Sequence, residues 1–318
     1  MNEKILKRII AETKNADVFD ALIEKISLAD LQSLLLSVYQ KRIKELDVKH
    51  LFSQYTSNRF VQPSKIDAKK FAEFDKLAFS LLPKNYEILE LSPVSPLGSC
   101  SLLGPVHQNN VLTTIRNTEV NSDATNILAM ECSKRRKKHL ETNETKFEKV
   151  KLCSSHRVLR TQSFEGDDSA AHFKLLSLCS AGKDAGFYTF EMEELVEQIE
   201  YFVTLLTRIS EIGLNIFSPR VSLIVYDNKF LDSASRLITS LIERNDDLKI
   251  DIEQFTGTQK YYDILRYQIY ATNAAGEEYF ICDGGFTNWT QTLLNNRKER
   301  FLSSGFGVER LFLVFENR

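Results

Sequence analysis

Two strand-like runs, KVKLCSSHRVLRTQ at 149–162 and AHFKLLSLCSAG at 171–182, are separated only by the polar, acidic segment SFEGDDSA. A connection that short can turn a chain back on itself but cannot carry the crossover that parallel neighbours need, so the runs predict an antiparallel hairpin. That hairpin argues against a doubly wound parallel sheet. The rest of the chain repeats the preference: RVSLIVYD (220–227) reads as a strand, and YYDILRYQIYAT (261–272) and EEYFICDGGF (277–286) read as a second strand pair. Helices are interposed. FEMEELVEQIEYFVTLLTRISEIG sets Leu195, Ile199, Phe202, Leu206 and Ile209 at spacings of three and four and stops at Gly213, and SASRLITSLIERN reads as another helix. The run ERLFLVF closes the pattern. The expected fold class is α+β, an antiparallel β-sheet flanked by helices.

Ahead of the hairpin the chain is mostly helical. ADVFDALIEKI and ADLQSLLLSVYQKRIKEL are amphipathic, the second placing Leu31, Leu34, Leu35, Val38 and Tyr39 on one face, which predicts an N-terminal helical module over 1–60 and a sheet domain over 61–318. AKKFAEFDKLAFSLLP is a helix that stops at Pro83, and YEILELSP carries Ile88, Leu89 and Leu91 as a strand that runs into Pro93. DATNILAMECSKRRKKH is a helix that Asp123 can cap, with its basic end suiting the negative pole of the helix dipole. A net charge of -2 gives the chain no overall pull toward nucleic acid or anionic lipid, so any polyanion site is local. No apolar run reaches the roughly 18 residues that would span a bilayer. Five scattered cysteines without a CxxC pair suit free thiols in a reducing compartment, and the expected location is the cytoplasm.

Several residues could carry chemistry. Arg157 and Arg160 stand on one predicted strand at an odd separation and so point to opposite faces, where each is either a surface charge or an anion ligand. Phe173, which opens the returning strand, is either core or a ring on which a base can stack. Near the C-terminus, Gly305 and Gly307 permit close approach of the backbone to a ligand. Arg310, which follows Glu309, is permanently charged and needs an anionic partner if buried; the plainer reading is a turn followed by a solvated arginine. SKRRKKH could touch nucleic-acid phosphates, but a solvated helix end is the plainer reading. Neither Cys153 with His156 nor His172 with Cys179 has a second pair at zinc spacing, and no metal site is expected.

The order of these segments resembles the three signature motifs of class II aminoacyl-tRNA synthetases, over roughly residues 70–318. KLAFSLLPKNYEILELSP, ending at Pro93, is similar to motif 1, a helix and strand ending in proline. HRVLRTQSFEGDDSAAHF is similar to motif 2, and GFGVER to motif 3. Within the class the chain resembles histidyl-tRNA synthetase and its paralogue, the ATP phosphoribosyltransferase regulatory subunit. RNTEVNSDATNILA, QKYYDILRYQIY and CDGGFTNW are similar to the segments that surround the amino-acid pocket there.

That resemblance implies an ATP site. Arg157 or Arg160 would meet the α-phosphate, Phe173 would lie under adenine, Arg310 would meet the γ-phosphate, and Gly305, Gly307 and Glu309 would complete motif 3. Asp123 and Thr125 would hold a substrate amino group, Tyr261 and Tyr262 would stand beside the amino acid, and Gly284, Gly285 and Phe286 would wall its pocket. The implied ligands are ATP, Mg²⁺ carried on its phosphates, and a small carboxylate. The implied assembly is a homodimer through the segment around Pro93, with tRNA or an enzyme as a further partner and no membrane. The chain departs from the family at Leu159, where motif 2 has glutamate, and at Gly257, where histidine-activating members have arginine. With no anticodon-binding domain expected after motif 3, the implied activity is ATP-dependent adenylation of an amino acid or related carboxylate, by something other than a full tRNA synthetase. The alternative is a non-catalytic paralogue that serves as a regulatory or scaffolding subunit.

Overall fold

The computed structural model describes residues 2–104, 106–142, 145–162, 171–244, 248–257 and 261–316, with the side chains of 237, 238, 240 and 242–244 outside the description. The acidic segment SFEGDDSA, expected at the hairpin tip, lies outside the described residues. Helices α1 (Glu3–Thr13), α2 (Val18–Asp20, continued by a π turn over Ala21–Lys25), α3 (Leu28–Ile43) and α4 (Val48–Ser57) come first, followed by α5 (Ala68–Leu81). Next come β1 (Glu87–Ile88), β2 (Val94–Pro96), α6 (Ser99–Leu103), β3 (Thr118–Val120) and α7 (Ala124–Leu140). The hairpin is β4 (Val150–Leu159) and β5 (His172–Lys183), after which run α8 (Thr189–Arg208), β6 (Phe217–Val225), α9 (Leu231–Arg244) and β7 (Lys249–Gln254). The chain continues through β8 (Leu265–Thr272), β9 (Glu278–Phe286), α10 (Trp289–Leu294), β10 (Glu299–Gly307) and α11 (Val308–Phe315). Among the described residues no helix is long and apolar enough to cross a membrane.

Eight strands form one sheet in the order β1-β4-β5-β10-β9-β8-β6-β7. The six inner strands are antiparallel, as the hairpin required, while β1 on β4 and β7 on β6 are parallel edge pairs. The β7 edge has a simple cause: α9 intervenes between β6 and β7 and supplies the crossover a parallel neighbour needs. Two expectations change. Strand pairing after α5 covers only Glu87–Ile88, with one further ladder bond from Leu89 N to Cys153 O at 2.8 Å. Strand β8 starts at Leu265, which leaves Tyr261 and Tyr262 in the bend before it.

Alternation along the strands divides the interior in two. On one face Leu176, Leu178 and Phe306 pack with Phe74 and Ala78 of α5 and Ile199, Phe202 and Leu206 of α8. The Phe306 ring lies between Phe202 and Phe74, at 5.6 and 6.0 Å. On the other face Leu152, Cys179, Ala181 and Phe301 pack with Leu128, Ala129 and Cys132 of α7 and Trp289 of α10. Asp123 caps α7 by accepting from Thr125 N at 2.9 Å. Gly213, with φ of +81°, ends the turn that follows α8 in a conformation open to glycine.

Candidate functional site

Further along that second face, β10 presents Ser303, Gly305 and Gly307 where Phe301 stood, and side-chain volume falls away. The result is a cavity of about 650 Å³ between the sheet and the start of α7, within the range of small-molecule sites. A side chain at Gly305 would meet Leu175, whose methyl carbon lies 3.3 Å from the position of a Cβ. Gly307 leads directly into α11, so Glu309 and Arg310 arrive in that helix's first turn and line the same cavity.

Strand parity separates Arg157 of β4 from Arg160, which directly follows that strand. Arg160 lines the cavity: its guanidinium lies 5.0 Å from the Phe173 ring centre, its Nε donates to Ser122 O at 3.0 Å, and Asp123 is 3.6 Å away. Arg157 points to the opposite face. There it sits 5.2 Å over Phe71, 3.1 Å from the Glu309 carboxylate and 2.9 Å from His172 Nδ1. Glu309 is almost wholly buried; besides Arg157 it accepts from Lys174 N at 3.2 Å and from the Ser64 hydroxyl. Arg310 donates to Phe280 O at 3.3 Å.

At the other end stand Asp123, Thr125, Tyr261 and Tyr262. Asp123 accepts from both the amide and the hydroxyl of Thr125, at 2.9 and 2.8 Å, which fixes its carboxylate at the helix start. The two tyrosine rings meet edge to face at 4.7 Å, and Tyr261 also contacts Trp289. Burial, then the charges of Asp123 and Asp283, push the Tyr261 hydroxyl well above its ordinary range, so it stays protonated and can donate. Gly284, Gly285 and Phe286 do not line the cavity. A Cβ on Gly285 would fall 2.4 Å from the Tyr262 ring and one on Gly284 2.4 Å from the Tyr267 ring, so Gly285 makes room for the cavity-lining Tyr262 and Gly284 for Tyr267 in the core, where Phe286 also lies.

Among the cavity residues that the sequence reading did not assign to a site are Tyr226, Arg266 and Asp283. Arg266 Nε donates to Asp283 at 2.6 Å, and Tyr262 donates its hydroxyl to the same carboxylate at 3.0 Å. The one available signal was that Asp283 directly precedes the glycine pair, where a charged residue on a buried strand needs a partner. Among the described residues no group of three or more His, Cys, Asp or Glu side chains is arranged to hold a metal ion.

No family model matches the sequence, and no curated protein does either. Solved structures match the fold. An ATP phosphoribosyltransferase regulatory subunit/histidyl-tRNA synthetase from Bacillus halodurans C superposes with a TM-score of 0.56 at 13% identity, covering 80% of this chain and 83% of that one. Apo histidyl-tRNA synthetase from S. aureus gives 0.56 at 12%, covering 79% and 67%. A structure described as the RNA binding domain of threonyl-tRNA synthetase from Cryptosporidium parvum Iowa II gives 0.54 at 10%, covering 77% and 63%. With the eight-stranded sheet, its flanking helices and the N-terminal helical region, these likenesses identify the fold of this chain as that of the class II aminoacyl-tRNA synthetase core.

Proposed function

We propose that this protein activates a small carboxylate, an amino acid or a related acid, by adenylation with ATP. The observation that carries the reading is convergence. Arg160 beside Phe173, Asp123 with Thr125, and Gly305, Gly307, Glu309 and Arg310 come from three separate parts of the chain and line one cavity. In the reaction a substrate carboxylate oxygen attacks the α-phosphorus, the bond from that phosphorus to the bridging oxygen breaks, and pyrophosphate leaves. The protein's task is positioning and charge neutralisation, with Arg160 on the α-phosphate, Arg310 on the γ-phosphate and Asp123 on the substrate's amino group. Mg²⁺ bound to the phosphates would share their charge. Phe173 would take the adenine once Arg160, which now covers its ring, exchanges its contacts to Ser122 O and Asp123 for phosphate. The same reading includes a homodimer through the segment around Pro93, where Ile88, Leu97 and Leu102 are exposed.

The test is pyrophosphate exchange into ATP with each amino acid in turn, alongside calorimetric ATP binding. Arg160→Ala and Arg310→Ala are each expected to weaken ATP binding at least about tenfold, the share of one charge-assisted hydrogen bond. Arg157→Lys, which reaches the site only through its ion pair with Glu309, should change it less than either alanine variant does. Unaltered affinity in both alanine variants would sink the assignment. A second reading, a non-catalytic subunit that keeps the cavity, is favoured by Leu159 and Gly257 at positions where the family has charged residues. ATP binding without exchange for any amino acid would select it.

A further inference from the structure

One charge pair in the cavity has no task in adenylation. Arg160 and Arg310 are assigned to phosphate and Asp123 to an amino group, which leaves Arg266 of β8 and Asp283 of β9. Their side chains are 30% and 32% exposed, and both line the cavity, so a ligand can reach them. The pair is firmly built: Arg266 Nε to Asp283 Oδ1 is 2.6 Å, and Tyr262 holds Oδ2 at 3.0 Å. Burial pushes the Asp283 carboxyl upward against the pull of Arg266 and Tyr262, so this carboxylate is under-solvated and would gain from a further donor.

Each simple ligand end meets this pair differently. An apolar group strips water from both charges and returns nothing. An ammonium gains Asp283 but is repelled by Arg266, and a carboxylate gains Arg266 but is repelled by Asp283. A neutral group that accepts and donates on neighbouring atoms satisfies both. Because Arg266 engages Asp283 through Nε and Tyr262 donates a single bond to the other carboxylate oxygen, the guanidinium keeps Nη donors and the carboxylate keeps lone pairs. An oxygen and an NH₂ on one carbon can use one of each.

Resting on the adenylation reading, we propose that Arg266 and Asp283 determine specificity for a substrate whose side chain ends in a primary carboxamide. Asp123 takes the α-ammonium of that substrate, the carboxamide oxygen accepts from Arg266, and its NH₂ donates to Asp283. Tyr226, which also lines the cavity, flanks the guanidinium. Sites built on such paired hydrogen bonds reject analogues that cannot make them far more strongly than apolar sites do.

The experiment compares exchange kinetics for asparagine and glutamine with those for aspartate, glutamate and leucine, in wild type, Asp283→Asn and the neutral double variant Arg266→Gln/Asp283→Asn. Wild type should favour a carboxamide over its carboxylate isostere by at least about 100-fold in kcat/KM. Asp283→Asn leaves Arg266 without its counter-charge and should move the preference at least about tenfold toward the carboxylate, and the double variant should discriminate little. A wild-type preference for apolar or cationic amino acids overturns the inference while leaving adenylation standing, as does an Asp283→Asn variant that slows every substrate equally. If no amino acid supports exchange, the adenylation reading fails by itself. Calorimetric binding of the same amino acids without ATP then carries the test: carboxamide binding that Asp283→Asn weakens supports the pair's role, and its absence at millimolar concentration ends it.

Discussion

Arg136 shows how far a single side chain can depart from the character of its sequence neighbourhood. It belongs to the run SKRRKKH, whose plain reading is a solvated helix end, and Lys134, Lys137 and Lys138 fit that reading. Arg136 does not: it is wholly buried, donates from Nε and Nη2 to the Glu299 carboxylate at 2.9 and 3.0 Å, and donates further to the Glu148 and Lys146 carbonyls. The periodicity of α7 held the clue. Leu128, Cys132 and Arg136 recur at helical spacing, so the stripe that faces the sheet runs on through the basic end. A buried ion pair adds little net stability over apolar residues of like volume, but removing one partner strands the other. Arg136→Met is therefore expected to cost about 3–5 kcal/mol, and Arg136→Met/Glu299→Leu to recover most of that loss. Urea midpoints at unchanged slope would read both effects; equal losses in the single and double variants would show that packing of α7, rather than stranded charge, dominates.

At the scale of elements, β4 does two jobs because its faces differ. Its inward positions on the cavity side include His156, whose Nε2 accepts from Asn121 Nδ2 at 3.0 Å. That amide also donates to Ser92 O at 2.6 Å, and Asn121 N donates to Pro93 O at 3.2 Å, so one asparagine ties the Pro93 segment to the sheet. An Nε2 that accepts is a neutral ring. Burial lowers the His156 pKa, with the Glu90 charge opposing and the Lys174 charge assisting. The folded pKa thus lies below the unfolded one, near 6.5, and the unfolded chain binds more protons between them; stability is complete above the unfolded value and is lost as pH falls through the folded one. Wild type should lose stability as pH falls below about 7.5, from around the unfolded value down through the lowered folded one, and His156→Gln, which can still accept from Asn121, should lose less. Parallel pH curves for the two proteins would refute this origin. The same strand marks what was legible beforehand. Odd separation was enough to put Arg157 and Arg160 on opposite faces, but only the packing of α5 and α7 says which face holds the cavity. Arg266 gave no such sign and Asp283 only its place before the glycine pair, because the partner of a charge on a strand is set by register across the sheet, which a single sequence does not display. The edge strand β7 was missed for a related reason, as its mostly exposed KIDIEQ carries little apolar signal.

For the molecule as a whole, the sheet domain was readable because its helices bury a continuous stripe and its hairpin forbids a parallel core. The N-terminal helices obey a different rule. Amphipathic periodicity predicted a helix correctly at α3, yet α1, α3 and α4 hold no buried residue, and Leu34, Val38, Tyr39, Leu51 and Phe52 are exposed. Periodicity reports that a stripe exists, and burial depends on what lies opposite it. The apolar interior gathers its members from Ile66 onward. Contacts that join the two regions begin just after α4, where Arg59 donates to the Thr161 and Gln162 carbonyls at 2.5 and 3.1 Å and Gln62 O meets His172 Nε2 at 2.6 Å. Hydrophobic stabilisation follows area removed from water, so helices with no buried residue contribute little to the stability of the sheet domain. A chain starting at Asn58, which keeps Arg59 and Gln62, is expected to melt within about 4 °C of the full protein, the shift about 1 kcal/mol produces in a domain of this size. The comparison is by calorimetry, with far-ultraviolet circular dichroism to record the lost helix. A much larger fall in Tm would mean that the exposed stripes of α3 and α4 close onto the sheet domain in solution.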